Sequence, residues 1–293
     1  MSTTQRSDLV LPTVLAEEMS KGIAGMEVFY GSGVFTVNPG LQAGSEQVGN
    51  DVVVPYFESI GKAQQVPAGG ALTPKKLTMT SETGSVVHIG DAVSTSGWAQ
   101  RAKSQGRDIN EVAAEQLLAG FRAKVEDLMV DSLVTRAVAA SMVHDGSAGT
   151  FDVTSIVNTQ KKFADELASM GGIRLWAMSS KPYWDAASLS DSTGRPLLVN
   201  VAGEELMRLG GKPVMMSDRS TMQVASTSPQ QYYTIAAKAG AGAIWFNENV
   251  VIESDRDSLA DANFVIYHVY LVVHTYSVMN GGTKAGVASV KTL

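Results

Sequence analysis

The sequence predicts an α+β fold built from unusually elongated elements, and three stretches predict it. Residues 52–99, VVVPYFESIGKAQQVPAGGALTPKKLTMTSETGSVVHIGDAVSTSGWA, have strand character at both ends and turn chemistry between them. One very long amphipathic helix follows, and near the C-terminus a strand of about fifteen residues runs from Phe264 to Val278. Between helix and strand lies a stretch of mixed α/β character with apolar residues enough for a core of its own.

Composition narrows the function classes. The chain has 293 residues, room for one large domain or two ordinary ones. Its hydrophobic fraction of 44% is ordinary, but only 18% is charged, against roughly 25% in soluble domains. Surface that is neither core nor charged suits burial against other chains. The net charge is −6, and Lys and Arg form no run longer than Lys75-Lys76 and Lys161-Lys162. That disfavours sequence-reading nucleic-acid binding. With no cysteine, disulfides, thiolate metal sites and cysteine nucleophiles are excluded. The N-terminus MSTTQRSDLVLPTVLAEEMSKGIAG lacks a signal-peptide core, and no apolar run reaches the roughly 18 residues of a membrane span. A soluble protein without targeting signals is expected.

The elements follow in order. Residues 1–51 hold too little apolar material for a core, and the run GSGVFTVNPGLQAGSEQVGN carries five glycines, so they read as an N-terminal arm. A first strand covers Val52 to Phe57; Pro67, Gly69, Gly70 and Pro74 then mark the tip of a long hairpin. A second strand is predicted around Leu77 to Met79 and a return from Ser85 to Ile89, whose Val86, Val87 and Ile89 have β-branched bias. Such a hairpin is too long to bury both faces in one compact domain, so it must project and needs a partner. Asp108 followed by Glu111 resembles a capping box and opens a helix to about Met142. Val112, Leu117, Phe121, Val125, Leu128 and Met129 fall on one stripe of it. At 1.5 Å per residue it spans roughly 50 Å.

HDGSAG at 144–149 reads as a linker. Beyond it a helix over 156–167 ends at Gly171-Gly172, Arg174 to Met178 makes a strand, and Pro182 sits in the first turn of a short helix. Further strands fit Pro213 to Met216, Tyr232 to Ala236 and Asn249 to Glu253. Both faces of the stretch Phe264 to Val278 are largely apolar, which implies cover on both sides. The long helix would supply one cover.

Nothing in the sequence reads as an enzyme. Gly240-Ala-Gly242-Ala-Ile-Trp245 looks like the start of a dinucleotide loop but lacks its third glycine and leads into a strand, so the glycines read as a tight bend. His268 and His274 would lie roughly 20 Å apart along one strand, too far to share a metal; they read as core or interface residues. His88 and His144 have no metal-ligand spacing, and there is no Walker loop or Gly-x-Ser-x-Gly elbow. No catalytic, cofactor-binding or metal residue is assigned. One covalent reading remains open: Lys62, Lys75 or Lys76 of one subunit attacking Asn280 of another, with a buried carboxylate as base. Solvated or salt-bridged lysines and ordinary packing are the competing reading, and the one adopted.

The pattern of VVVPYFESIGKAQQVPAGGALTPKKLTMTSETGSVVHIGDAVSTS followed by GRDINEVAAEQLLAGFRAKVEDLMVDSL resembles the major capsid proteins of tailed double-stranded-DNA bacteriophages, whose fold is shared with herpesviruses and encapsulins. A strand ending in Pro-aromatic, a Gly-bounded loop, Leu-Thr-Pro-Lys, a Val-rich return and a long helix carry the likeness, which extends from about Val52 to Val278. The resemblance implies an N-terminal arm (1–51), an extended loop overlapping the adjacent subunit (52–97), and a peripheral domain with the spine helix (98–149). It further implies a compact α/β axial domain (150–238), and strands with a C-terminal tail returning to the peripheral domain (239–293). It makes Phe57, Lys62, Lys75 and Lys76 residues of the intersubunit loop. The implied function is self-assembly into hexamers and pentamers of an icosahedral virion shell, built in the host cytoplasm around double-stranded DNA held without sequence specificity. Implied partners are other copies of the chain, a portal protein, a decoration protein and, since the arm leaves no room for a scaffolding domain, either a separate scaffolding protein or a scaffolding domain already cleaved. No cofactor and no membrane are implied. The alternatives are an encapsulin-like nanocompartment shell and another virion structural protein.

Overall fold

The computed structural model describes residues 29, 31–38, 51–57, 63–66, 70–96, 109–168, 171–190, 194–200, 207–225, 227–246, 251–257, 262–279 and 282–293. The predicted cap at Asp108 lies outside them, as does most of the arm. The long strand forms as expected, at Ala262–Thr275, and is the rail of the first sheet. In chain order the strands around it are β1 (Phe35–Asn38), β2 (Asp51–Phe57), β3 (Met79–Ser85) and β4 (Val87–Ser96). One edge of the rail pairs antiparallel with β4 from Ala262 to Leu271. The other takes Val251–Asp257 over Ala262 to His268 and then Gly242–Phe246 over Leu271 to Thr275; β1 extends this edge in parallel.

Strands β2 and β3 make a separate antiparallel ribbon, with Asp51 opposite Ser85 and Phe57 opposite Met79. Two boundaries of the hairpin expectation are corrected. The second strand is Met79–Ser85 where Leu77 to Met79 was expected, and the stretch expected to return over Ser85 to Ile89 becomes β4, Val87–Ser96, paired with the rail. Val87, Ile89 and Val93 pack there on the core, a larger apolar neighbour than the polar strand MTSETGS could offer.

Helix α1, Ile109–Ala139, runs for 31 residues. Its stripe of Leu117, Phe121, Val125, Met129, Leu133 and Ala137 is buried, and Phe121 meets Tyr267 of the rail edge-on at 5.9 Å. The helix stops three residues before Met142 because Ser141 turns left-handed (φ 55). The Met142 amide then returns to the Ala137 carbonyl at 2.8 Å and that of Ser141 to Val138 at 3.1 Å, the paired bonds of a Schellman stop.

The second sheet is the compact unit. After β5 (Val143–Asp145) come α2 (Val153–Lys161), β6 (Ile173–Met178), α3 (Ser180–Ser188), β7 (Leu198–Asn200), β8 (Met207–Leu209) and β9 (Lys212–Met216). They are followed by β10 (Tyr232–Lys238), β11 (Gly242–Phe246), β12 (Val251–Asp257), the rail β13 (Ala262–Thr275) and β14 (Val287–Thr292). The order across this sheet is β5-β14-β10-β6-β9-β8-β7. Asp152 caps α2, accepting from the Ser155 amide at 2.6 Å. The expected return of 239–293 to the first sheet is half corrected: β11 to β13 return, but β14 inserts between β5 and β10. Val287, Ala288, Ser289 and Val290 are buried there. VASVKT carries too little apolar bulk to declare itself a central strand.

Gly120 lies on the exposed side of α1, and a methyl group there would meet nothing within 4 Å. Gly120→Ala therefore stabilises the folded chain by about 1 kcal/mol, read as a raised midpoint in chemical denaturation; an unchanged or lowered midpoint contradicts a helix continuous through this position.

Candidate assembly interface

The ribbon β2–β3 finds little cover in its own chain. Residues 63–65 and 70–79 are exposed throughout, and Leu72 at 74%, Met79 at 65% and Leu77 at 56% exposure are apolar side chains facing solvent. Apolar groups gathered on a projecting segment mark a surface that another protein covers. Only the base is held: Val52 and Val54 are buried while Val53 between them points outward, the alternation of a strand with one covered face. Gly84 permits the close approach, since a Cβ there would lie 2.8 Å from the Val272 side chain of the rail.

The base is pinned by Glu82. Its carboxylate accepts hydrogen bonds from His274 Nε2 at 2.7 Å, Arg136 Nη2 at 3.1 Å, the Ser277 amide at 3.0 Å and the Ser277 hydroxyl. Arg136 also donates to the Thr275 carbonyl at 2.8 Å, and Ser132 bonds the Thr275 hydroxyl at 2.7 Å. Ribbon, helix α1 and rail thus meet at one carboxylate. Burial alone would raise its pKa, but the bonds from Ser277 and His274 and the charge of Arg136 outweigh burial and hold it below the ordinary carboxylate value. Burial holds His274 below its own ordinary value despite the pull of Glu82. The imidazole is therefore neutral at pH 7 and donates through Nε2.

The second exposed surface is a face of the sheet. Along the rail, Tyr267, Val269 and Leu271 are buried beneath α1, whereas Phe264, Ile266 and His268 on the opposite face are half-exposed and Tyr270 is 38% exposed. The expected cover is complete on the α1 side; on the other face the ribbon base buries Val272 and His274, and the stretch from Phe264 to Tyr270 is left partly exposed. His88 stacks on Tyr270 at 4.5 Å and meets His268 with ring nitrogens 3.0 Å apart, so two histidines distant in sequence pair across β4 and β13.

Of the residues singled out from sequence, Phe57 ends β2 opposite Met79. Lys75 and Lys76 are exposed on the hairpin. Lys62 and Asn280 lie outside the described residues. His144 bonds Asn158 at 3.1 Å. Gly240 (φ +66) makes the bend between β10 and β11; at Gly242 a Cβ would lie 2.5 Å from the Phe35 ring, so the glycine serves packing. Among the described residues no group of three acidic or histidine side chains is placed to hold a metal, and no helix is long and apolar enough to cross a membrane. Sequence reasoning missed Glu82. Its one signal is that it is the sole charge between Leu77 and Ile89.

Acid loosens this anchor. Unfolded His274 takes its proton near 6.5 and unfolded Glu82 near 4.5, while the folded groups take theirs only at lower pH. The anchor is at full strength above about 6.5, weakens as pH falls through that value, and is lost as pH falls through the depressed value of Glu82. Amide hydrogen exchange of residues 79–85, corrected for intrinsic rate, measures this. Protection that stays constant from pH 7 to 4 contradicts it, and Glu82→Gln, weakening the base by about 1–3 kcal/mol, removes the lower step.

No protein-family model matches this sequence, and no curated protein sequence matches it. Solved structures do. A chain from Microbacterium phage Oxtober96 superposes with a TM-score of 0.64 at 13% identity, covering 89% of this chain and 90% of its own. A chain from the capsid of Ralstonia phage GP4 gives 0.59 at 9% identity, covering 88% and 87%. One from the capsid of an empty GTA particle gives 0.61 at 15% identity, covering 88% of each. At such identities the likeness is one of fold: the chain shares the α+β fold of these phage and particle chains, two of which come from capsids.

Proposed function

We propose that this chain is a major capsid protein that assembles with copies of itself into hexamers and pentamers of an icosahedral phage head enclosing double-stranded DNA. The observation that carries the reading is a hairpin fixed at its base by Glu82 whose apolar residues Leu72, Leu77 and Met79 are largely exposed among the described residues, on a fold shared with chains from phage capsids.

In this reading the ribbon β2–β3 lies over the adjacent subunit and α1 with the rail forms the peripheral wall. The sheet β5–β14 is the axial unit around each capsomer centre. The half-exposed face at Phe264, Ile266 and Tyr270 is a further contact. Apolar burial drives association at about 25 cal/mol per Å² before ordering costs, and many weak contacts close one shell. A net charge of −6 suits containment of DNA rather than a grip on its phosphates. A separate scaffolding protein, a portal and a decoration protein complete the particle, which is assembled in the host cytoplasm. The chain itself performs no reaction.

Electron microscopy of the purified protein tests the reading: pentameric and hexameric capsomers or closed shells are expected, while tubes overturn it, and closed shells from this chain alone count against a separate scaffold. Deleting residues 61–76 leaves a subunit with native circular dichroism that forms no stable shells; normal shells from the deletion refute the role of the hairpin. The clasp is held by packing, so mature shells run as monomer-sized bands in denaturing electrophoresis, and a covalent ladder would instead revive attack of Lys62, Lys75 or Lys76 on Asn280.

A further inference from the structure

We propose that His88 and His268 form a two-nitrogen site for a divalent transition-metal ion of the Cu²⁺, Ni²⁺ or Zn²⁺ class on the open face of the first sheet. Of the four histidines in the chain, two are committed elsewhere: His274 donates to Glu82, and His144 bonds Asn158. The other two meet each other. In the register of β4 against β13, His88 stands opposite Tyr270 and His268 opposite Gly90, so both imidazoles rise from one face. His88 is exposed and His268 half-exposed, which leaves the pair open to an ion from solvent. The inference does not rest on the capsid reading, because both ligands come from one chain.

Local packing sets the spacing of the two rings. A Cβ at position 90 would lie 3.0 Å from His268 Nδ1, so glycine leaves the room in which that ring lies beside β4. Tyr270 stacks on His88 at 4.5 Å, 13° from parallel, and holds the second imidazole. His88 Nε2 and His268 Nδ1 end 3.0 Å apart. Two nitrogens bound to one ion at about 2.0–2.1 Å, at the angles of tetragonal or tetrahedral coordination, stand about 2.9–3.3 Å from each other. In the bare pair one ring N–H points at the lone pair of the other ring. For an ion to enter, that proton moves to the remote nitrogen of its own ring, and a small turn of the exposed His88 brings both lone pairs to one point. Both imidazoles stay neutral, and no net proton is released. Among the described residues no third histidine or carboxylate is placed to join them, so water fills the remaining positions. Two imidazoles with water suit these ions, Cu²⁺ most of all, whereas Mg²⁺ and Ca²⁺ take oxygen ligands.

The chain has no cysteine, so no thiolate competes for the ion. Calorimetric titration of the full chain with Cu²⁺ at neutral pH is expected to give one ion per chain, and the electron paramagnetic resonance spectrum of the bound Cu²⁺ to carry coupling to two imidazole nitrogens. Zn²⁺ and Ni²⁺ compete for the site and Mg²⁺ does not; displacement by Mg²⁺ overturns the assigned class of ion. His88→Ala and His268→Ala each weaken binding by at least about tenfold with unchanged circular dichroism, while His144→Ala leaves it as it was. Should His268→Ala fail to fold, the exposed His88 carries the test alone. Gly90→Ala keeps both ligands but crowds His268 Nδ1, and it weakens Cu²⁺ binding as well. A spectrum with a single coupled nitrogen, or equal affinity in the His88→Ala chain, overturns the site and returns the pair to an ordinary hydrogen bond; loss of binding in His144→Ala overturns its location.

Discussion

One partly buried carboxylate, Glu82, governs how the elongated parts of this chain are joined. Ribbon, helix and rail are each long, and long elements touching only along apolar stripes can slide. Glu82 removes that freedom, because a desolvated carboxylate is costly unless several donors converge on it. His274, Arg136 and Ser277 converge only at one register of β3 against β13 and α1. Gly84 two residues on lets the strands approach closely enough for those bonds to form. The direction in which the hairpin leaves the body is therefore set at its base, and its tip is free to remain uncovered.

The compact unit is tied to the same helix by a different device. Arg219, beside the 3₁₀ turn Ser220–Met222, reaches Asp127 and Glu126 on α1 at 2.5 Å each and the Ala123 carbonyl at 2.7 Å. A planar guanidinium with several fixed donors suits such a clamp better than an ammonium. Within the unit, buried Lys238 donates to the Glu166 carbonyl and lies 5.0 Å from the centre of the Phe163 ring. The Glu166 carboxylate in turn accepts from Thr283 and Lys284 ahead of β14. Helix α1 is thus a shared beam, with Arg136 holding the ribbon near one end and Glu126 and Asp127 holding the compact unit further along.

Much of this fold was legible because its longest elements repeat their pattern over many residues. The α1 stripe from Leu117 to Met129 and the apolar run from Phe264 onward each offer more periods than a chance sequence sustains. The ribbon's turn chemistry was equally plain at Pro67 to Pro74. What misled was brevity and polarity: MTSETGS reads poorly as a strand, yet it pairs with Asp51–Phe57 over its whole length. VASVKT reads as a tail, yet it fills a gap between β5 and β10. In both, the partner strands supply the stabilisation that local propensity lacks.

The sequence by itself determined the α+β class, the long helix, the long strand, the uncovered hairpin and the absence of cysteine chemistry, since each depends on local periodicity or composition. Tertiary structure alone decided that Glu82 meets Arg136 and His274, that His88 meets His268, and that β4 and β14 join different sheets. Those outcomes depend on residues up to about two hundred positions apart being brought together by the chain's path. One sequence read in order carries no distance between such residues; it is the burial of the apolar stripes that sets that distance, and with it the charges that must find partners.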